Sequence, residues 1–94
     1  MDLKELRAEI DKIDDELIRL FVRRMEICAL VAEYKKKNNL PILMPVREQE
    51  KLADVAQKAG PAMAGYTKTL YTLLFELSRS HQSRLTDTAN EDIQ

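Results

Sequence analysis

Five polar side chains occupy positions at which the helical pattern of this sequence favours apolar ones. Arg24 and Lys35 fall on the apolar stripe of the first predicted helix, and Glu48 falls on that of the second. Ser78 and Gln82 fall on the apolar stripe of the third. Burying a charge without a partner is strongly unfavourable. A pocket lined by these groups would suit a small, anionic, hydroxylated ligand.

The simpler alternative is that these side chains satisfy one another, for instance through an ion pair between Arg24 and Glu48. Taken one residue at a time, that alternative is the favoured one. Taken together, the five groups lie on three helices and carry an excess of positive charge, which favours a ligand site.

The first predicted helix runs from Leu3 to Lys35 without a Gly or a Pro. Its apolar residues recur at steps of three and four, the period of one helical face, and they are Leu3, Leu6, Ile10, Ile13, Leu17, Leu20, Ile27 and Val31. Asp2 and Glu5 match the pattern of a capping box. Such a helix is about 50 Å long, whereas a compact chain of 94 residues is about 30 Å across. We therefore expect a second chain to cover the helix, in an intertwined homodimer.

Helical geometry also decides which cations can share one pocket. Arg24 and Lys35 lie within about 20° of each other around the helix axis and about 16 Å apart along it, so their long side chains can converge. Arg7 lies about 25 Å from Arg24 and about 100° round the axis. It can reach that pocket only from a partner chain, and for Arg7 alone a solvated surface position is the simpler interpretation.

The rest of the chain completes an all-α architecture of three helices. A second helix is predicted from about Pro45 to Lys58, ending before Gly60 and Pro61, and a third from about Tyr66 to Leu85. We expect one helical domain over residues 1–85. Residues 86–94 are polar and lack periodicity, so we expect a disordered tail.

Composition argues against several classes of function. A net charge of −1 with 33% charged residues offers no basic surface for nucleic acid or anionic membrane. No signal peptide or membrane-spanning run is evident, and Cys28 is the single cysteine, which favours a reduced, cytoplasmic location. His81 is the single histidine, so neither a zinc site nor a Ser/His/Asp triad is expected, and no glycine-rich loop is present for phosphates. We expect no metal and no cofactor.

Three segments carry a resemblance to the all-helical class of chorismate mutases, which occurs free-standing or at the N-terminus of prephenate dehydratases. The segments are LRAEIDKIDDELIRLFVRRMEICALVAEYK, LPILMPVREQEKL and LLFELSRSHQ. The resemblance implies a homodimeric isomerase of phenylalanine and tyrosine biosynthesis that rearranges chorismate to prephenate. Its site would contain Arg24, Lys35, Arg47, Glu48, Ser78 and Gln82 of one chain with Arg7 of the other.

The resemblance also implies a role for each group. Arg24 and the partner's Arg7 would each bind one substrate carboxylate, with Arg47 supporting the binding. Ser78 would be a further substrate-binding residue. Glu48 would accept from the ring hydroxyl. Lys35 and Gln82 would donate to the ether oxygen as the C–O bond breaks.

One position departs from the family pattern, in which an Asp is frequent where Met44 stands. The loss of that carboxylate bears on hydroxyl recognition and so on substrate preference. The first alternative function is an isochorismate pyruvate lyase on the same scaffold. Glu48 matches the mutase pattern and therefore favours the mutase over this lyase. The other alternative is a non-catalytic helical dimerisation or binding module.

Overall fold

The computed structural model describes the backbone of residues 1–93 and the side chains of residues 1–85. It contains three helices, α1 (Leu3–Lys37), α2 (Pro45–Ala59) and α3 (Ala64–Ile93). The described residues include no strand, which confirms the all-α prediction. None of the helices in this part of the chain is both long and apolar enough to span a bilayer.

The ends of α1 follow directly from the local sequence. The Asp2 carboxylate accepts from the backbone N–H of Glu5 at 2.8 Å, and the Glu5 carboxylate accepts from the backbone N–H of Asp2 at 3.4 Å. The predicted capping box is therefore confirmed. Lys35–Lys37 lie in the last turn, where the negative end of the helix dipole favours cations. Asn39 then adopts a φ of 54°, a left-handed conformation that Asn tolerates and that turns the chain away from the helix axis.

A short turn that begins at Gly60 separates α2 from α3. Pro45 is the first residue of α2, a position at which its fixed φ suits a helix. Gly60 ends α2 with a φ of 85°, which L side chains rarely adopt. Helix α3 extends to Ile93, beyond the predicted end at Leu85, since no Gly or Pro follows Leu85. The prediction of a disordered tail concerns residues whose side chains lie outside the described part of the chain, and it stays a prediction.

Helix α3 is the element on which both other helices pack. Only Val55 and Ser78 are buried among the residues whose side chains are described. The molecule measures 57 × 29 × 15 Å along its principal axes. A single chain is therefore elongated and has very little hydrophobic core of its own.

The predicted apolar stripe of α1 is exposed in the single chain. Its exposed fractions range from 39% at Ile27 to 61% at Ile13, and every residue from 1 to 20 is exposed. The first half of the stripe is left uncovered within one chain, because the contacts of α3 with α1 lie in the second half of α1, at Arg24 and Cys28. The expectation that a second chain covers the stripe stays a prediction.

Candidate active site

A cleft of about 260 Å³ lies where the second half of α1, the start of α2 and the middle of α3 approach one another. Six of the seven site residues predicted from the sequence line this cleft, namely Arg24, Lys35, Arg47, Glu48, Ser78 and Gln82. The remaining lining residues are Cys28, Val31, Ile42, Met44, Lys51, Phe75 and Arg79. The three helices thus bring together side chains that are far apart in the sequence.

Arg24 is held in place from two sides. Its Nη1 donates to the Ser78 Oγ at 3.3 Å and to the Cys28 Sγ at 3.7 Å. Its guanidinium carbon lies 5.6 Å from the ring centroid of Tyr71 and 5.9 Å from that of Phe75, within the range of a cation–π interaction. Packing against two rings leaves the guanidinium half-buried and restricts its orientation, so it can meet an anion without further ordering.

Ser78 is the more deeply buried of the polar groups, with 7% of its surface exposed. Its Oγ accepts from Arg24 and donates to the Met25 Sδ at 3.7 Å. Both contacts join α3 to α1. The buried position that the sequence pattern gave to Ser78 is confirmed, and its partner is the cation predicted to share the site.

Lys35 and Gln82 are each tied to a backbone carbonyl at the cleft wall. The Lys35 Nζ donates to the Ile42 carbonyl at 3.1 Å, which fastens the loop after α1 to the end of that helix. An ammonium has three N–H donors, so this bond leaves others for a ligand. The Gln82 Nε2 donates to the Cys28 carbonyl at 3.0 Å. Both side chains are half-buried, and both carry donor groups at the cleft.

Glu48 is paired with a residue that the sequence reasoning missed. Its Oε1 accepts from the Nη1 of Arg79, so the ion pair with Arg24 considered from the sequence is not the one that forms. Arg79 directly follows Ser78 and precedes Gln82 by one helical turn. That spacing was the available signal, because residues three apart share a helix face.

The balance of charge among the side chains that line the cleft is strongly positive. Its lining includes five cationic side chains and one carboxylate, and that carboxylate is already paired. Arg47 and Lys51 stand one turn apart on α2, and Lys51 also lies 3.6 Å from Asp54. The balance favours an anionic ligand with more than one negative charge. Among the described residues, no group of three or more His, Cys, Asp or Glu side chains is arranged to hold a metal ion.

Arg7 is the one predicted site residue that the chain does not bring to the cleft. It is exposed on the first half of α1, and the 17 residues that separate it from Arg24 place it about 25 Å away along the helix. The cleft is also open on one side. There it adjoins a larger groove of about 1140 Å³ between the end of α1 and α3, which shares Lys35 and Gln82 with it.

Comparison with known proteins gives a consistent result. The family described as chorismate mutase type II matches residues 6–83. A bifunctional chorismate mutase/prephenate dehydratase of Aquifex aeolicus is 51% identical over 52% of this chain and 14% of its own length. The protein of the same name from Buchnera aphidicola is 34% identical over 89% of this chain and 22% of its own length.

A third relative carries a different name. The 4-amino-4-deoxychorismate mutase of Streptomyces pristinaespiralis is 32% identical over 82% of this chain and 62% of its own length. The chain thus spans about a seventh to a fifth of the two bifunctional relatives and less than two thirds of the third. No solved structure matches the chain.

Proposed function

This chain belongs to the chorismate mutase type II family, and we propose that it catalyses the rearrangement of chorismate to prephenate. One observation carries the proposal most directly. Six residues with the types and positions implied by the family resemblance line one cleft, and the charge of that cleft is strongly positive. Chorismate is a dicarboxylate, so it matches this charge. The reaction needs no nucleophile and no cofactor.

Substrate binding follows from the arginines. The Arg24 guanidinium is already oriented by Ser78 and two aromatic rings. Its N–H groups can bind a carboxylate in a bidentate manner, through two parallel hydrogen bonds. Arg47 adds positive charge from α2. Fixing a carboxylate at Arg24 holds the flexible substrate in the compact conformation in which the two reacting carbons meet, and such orientation can supply several kilocalories per mole.

Stabilisation of the negative charge that develops on the ether oxygen accounts for the remaining acceleration. As the C–O bond breaks, negative charge grows on that oxygen, and Lys35 and Gln82 would donate hydrogen bonds to it. Both side chains are already anchored to backbone carbonyls, so they need little rearrangement when the charge appears. Donors of this kind contribute about 3 kcal/mol each, because they stabilise the transition state more than the ground state. A million-fold acceleration requires about 8 kcal/mol.

We propose that a second copy of the chain completes the site. The exposed apolar stripe of α1 and the groove that adjoins the cleft are surfaces that a partner would cover. In an antiparallel pair, the first half of the partner's α1 would bring its Arg7 to the open side of the cleft. That arginine would bind the second carboxylate. The homodimer predicted from the length of α1 is therefore part of the proposed mechanism.

The decisive experiment is turnover of chorismate by the purified protein, followed as prephenate formation. Isochorismate with detection of released pyruvate tests the lyase alternative, and 4-amino-4-deoxychorismate tests the activity named for the Streptomyces relative. Prephenate formation from chorismate is the expected result. Pyruvate release from isochorismate with no prephenate from chorismate would assign the lyase. Absence of turnover with all three compounds would leave the non-catalytic binding module. A place in phenylalanine and tyrosine biosynthesis, and a cytoplasmic location, belong to the same proposal.

A further inference from the structure

Arg79 has a position in the cleft for which the family resemblance gives no role. We propose that Arg79 is a specificity-determining residue, which makes the cleft select a substrate with a ring hydroxyl over one with a ring ammonium. The inference rests on the proposed function, in which Glu48 accepts from the ring hydroxyl of the substrate. It concerns which relative of chorismate the cleft accepts.

The geometry pairs Arg79 with Glu48, the group that would contact the ring substituent. Its Nη1 donates to the Glu48 Oε1, and the two side chains are 39% and 28% exposed. Both residues line the cleft. Because the pair is partly shielded from water, the interaction between its charges is stronger than in bulk solvent. The planar guanidinium also restricts the orientation of the carboxylate it binds.

The chemistry of a paired carboxylate differs from that of a free one. A carboxylate has about four lone-pair sites, so Glu48 can accept from Arg79 and still accept from a hydroxyl. A hydroxyl is neutral and meets no repulsion from the guanidinium. An ammonium at the same place would be attracted by Glu48 and repelled by Arg79, and four further cations line the cleft. The ion pair therefore removes the net negative charge that an ammonium would require.

A purely structural role for Arg79 is the alternative to exclude. The ion pair joins α2 to α3, so its loss could loosen the cleft. A loosened cleft would lower kcat/KM for every substrate by a similar factor. A change in the ratio of kcat/KM between a hydroxyl substrate and an ammonium substrate is the readout that a structural tie alone would not move.

The test measures kcat/KM for chorismate and for 4-amino-4-deoxychorismate, whose amine is ionised at neutral pH. We expect the wild-type chain to prefer chorismate at least tenfold, about 1.4 kcal/mol. Arg79→Met should reduce that preference at least tenfold, while Arg79→Lys, which keeps the charge, should retain most of it. The matched control is Arg23→Met. Arg23 is an exposed arginine on α1 that pairs with Glu26 and does not line the cleft, so its loss should leave the preference unchanged.

Three results would contradict the inference, and they differ in whether the proposed function falls with it. A wild-type chain that converts both compounds with similar kcat/KM overturns the inference and leaves mutase activity standing, whether or not Arg79→Met folds. An equal loss on both substrates in Arg79→Met, with its helical circular dichroism intact, also overturns it. Absence of turnover of either compound by the wild-type chain overturns the proposed function together with the inference.

Discussion

The Arg24 guanidinium donates a hydrogen bond of 3.3 Å to the hydroxyl of Ser78, across a sequence separation of 54 residues. The bond joins the middle of α1 to the middle of α3 and lies at the wall of the cleft. It makes Arg24 part of the fold as well as part of the proposed site. Variants of Arg24 therefore have to be judged by activity and by helical content together.

Arg24→Ala should lower kcat/KM for chorismate by at least about 30-fold, because a substrate carboxylate left without its arginine in a shielded site costs about 2–5 kcal/mol. The far-UV circular dichroism should keep its helical form. The neighbouring Arg23→Ala, which removes an exposed arginine, serves as the control and should retain activity. Equal activity in the two variants would contradict the assignment of Arg24 as a carboxylate-binding residue. The binding-module alternative predicts instead that Arg24→Leu stabilises the fold without functional loss.

Gln82→Glu should retain the proposed mutase activity only at acidic pH. An ionised carboxylate would repel the negative charge that grows on the ether oxygen, whereas a protonated one can still donate a hydrogen bond. The measurement is the pH profile of kcat/KM for the variant and the wild-type chain. A profile for Gln82→Glu that stays flat would remove Gln82 from the role of donor to the ether oxygen.

Arg7→Ala and Arg24→Ala chains should rescue one another when they are co-expressed or refolded together. In a mixed dimer one of the two sites regains both arginines, so an equal mixture should reach about a quarter of wild-type activity. Each variant alone provides the baseline. Failure of the mixture to exceed that baseline, with mixed dimers demonstrably formed, argues that the site is not shared between chains.

Leu17→Asp should weaken self-association, because Leu17 lies in the exposed apolar stripe of α1 with 56% of its surface exposed. Arg19→Asp is the matched control, since a position two residues on points to about the opposite side of the helix. Sedimentation or light scattering should show the wild-type chain and Arg19→Asp as dimers and Leu17→Asp shifted towards monomer. A monomeric wild-type chain would contradict both the dimer and the shared site.

Much of the fold is readable from the sequence because its signals are local. The capping box of Asp2 and Glu5, the first-turn position of Pro45 and the termination at Gly60 each depend on neighbouring residues. Burial of Ser78 could be predicted for a similar reason, as a polar residue on an apolar helix stripe. The bounds of α1 and α2 differ from prediction by two residues or fewer.

Side-chain pairings between different helices were harder to predict from the sequence. Periodicity places Glu48 on an inward face, but it cannot tell whether Arg24 or Arg79 lies opposite, and the structure shows that Arg79 does. The packing of Arg24 on Tyr71 and Phe75 was missed for the same reason. The spacing of those two rings at one helical turn was visible, yet the distance from α3 to α1 depends on packing that no single segment specifies.

The exposure of the first 20 residues of α1 also bears on how the thermal stability of this protein should behave. If chain association buries that surface, unfolding and dissociation become one reaction, and mass action makes the melting temperature rise with protein concentration. Dilution would then lower the specific activity as well. A thermal scan at a single concentration would describe that sample alone.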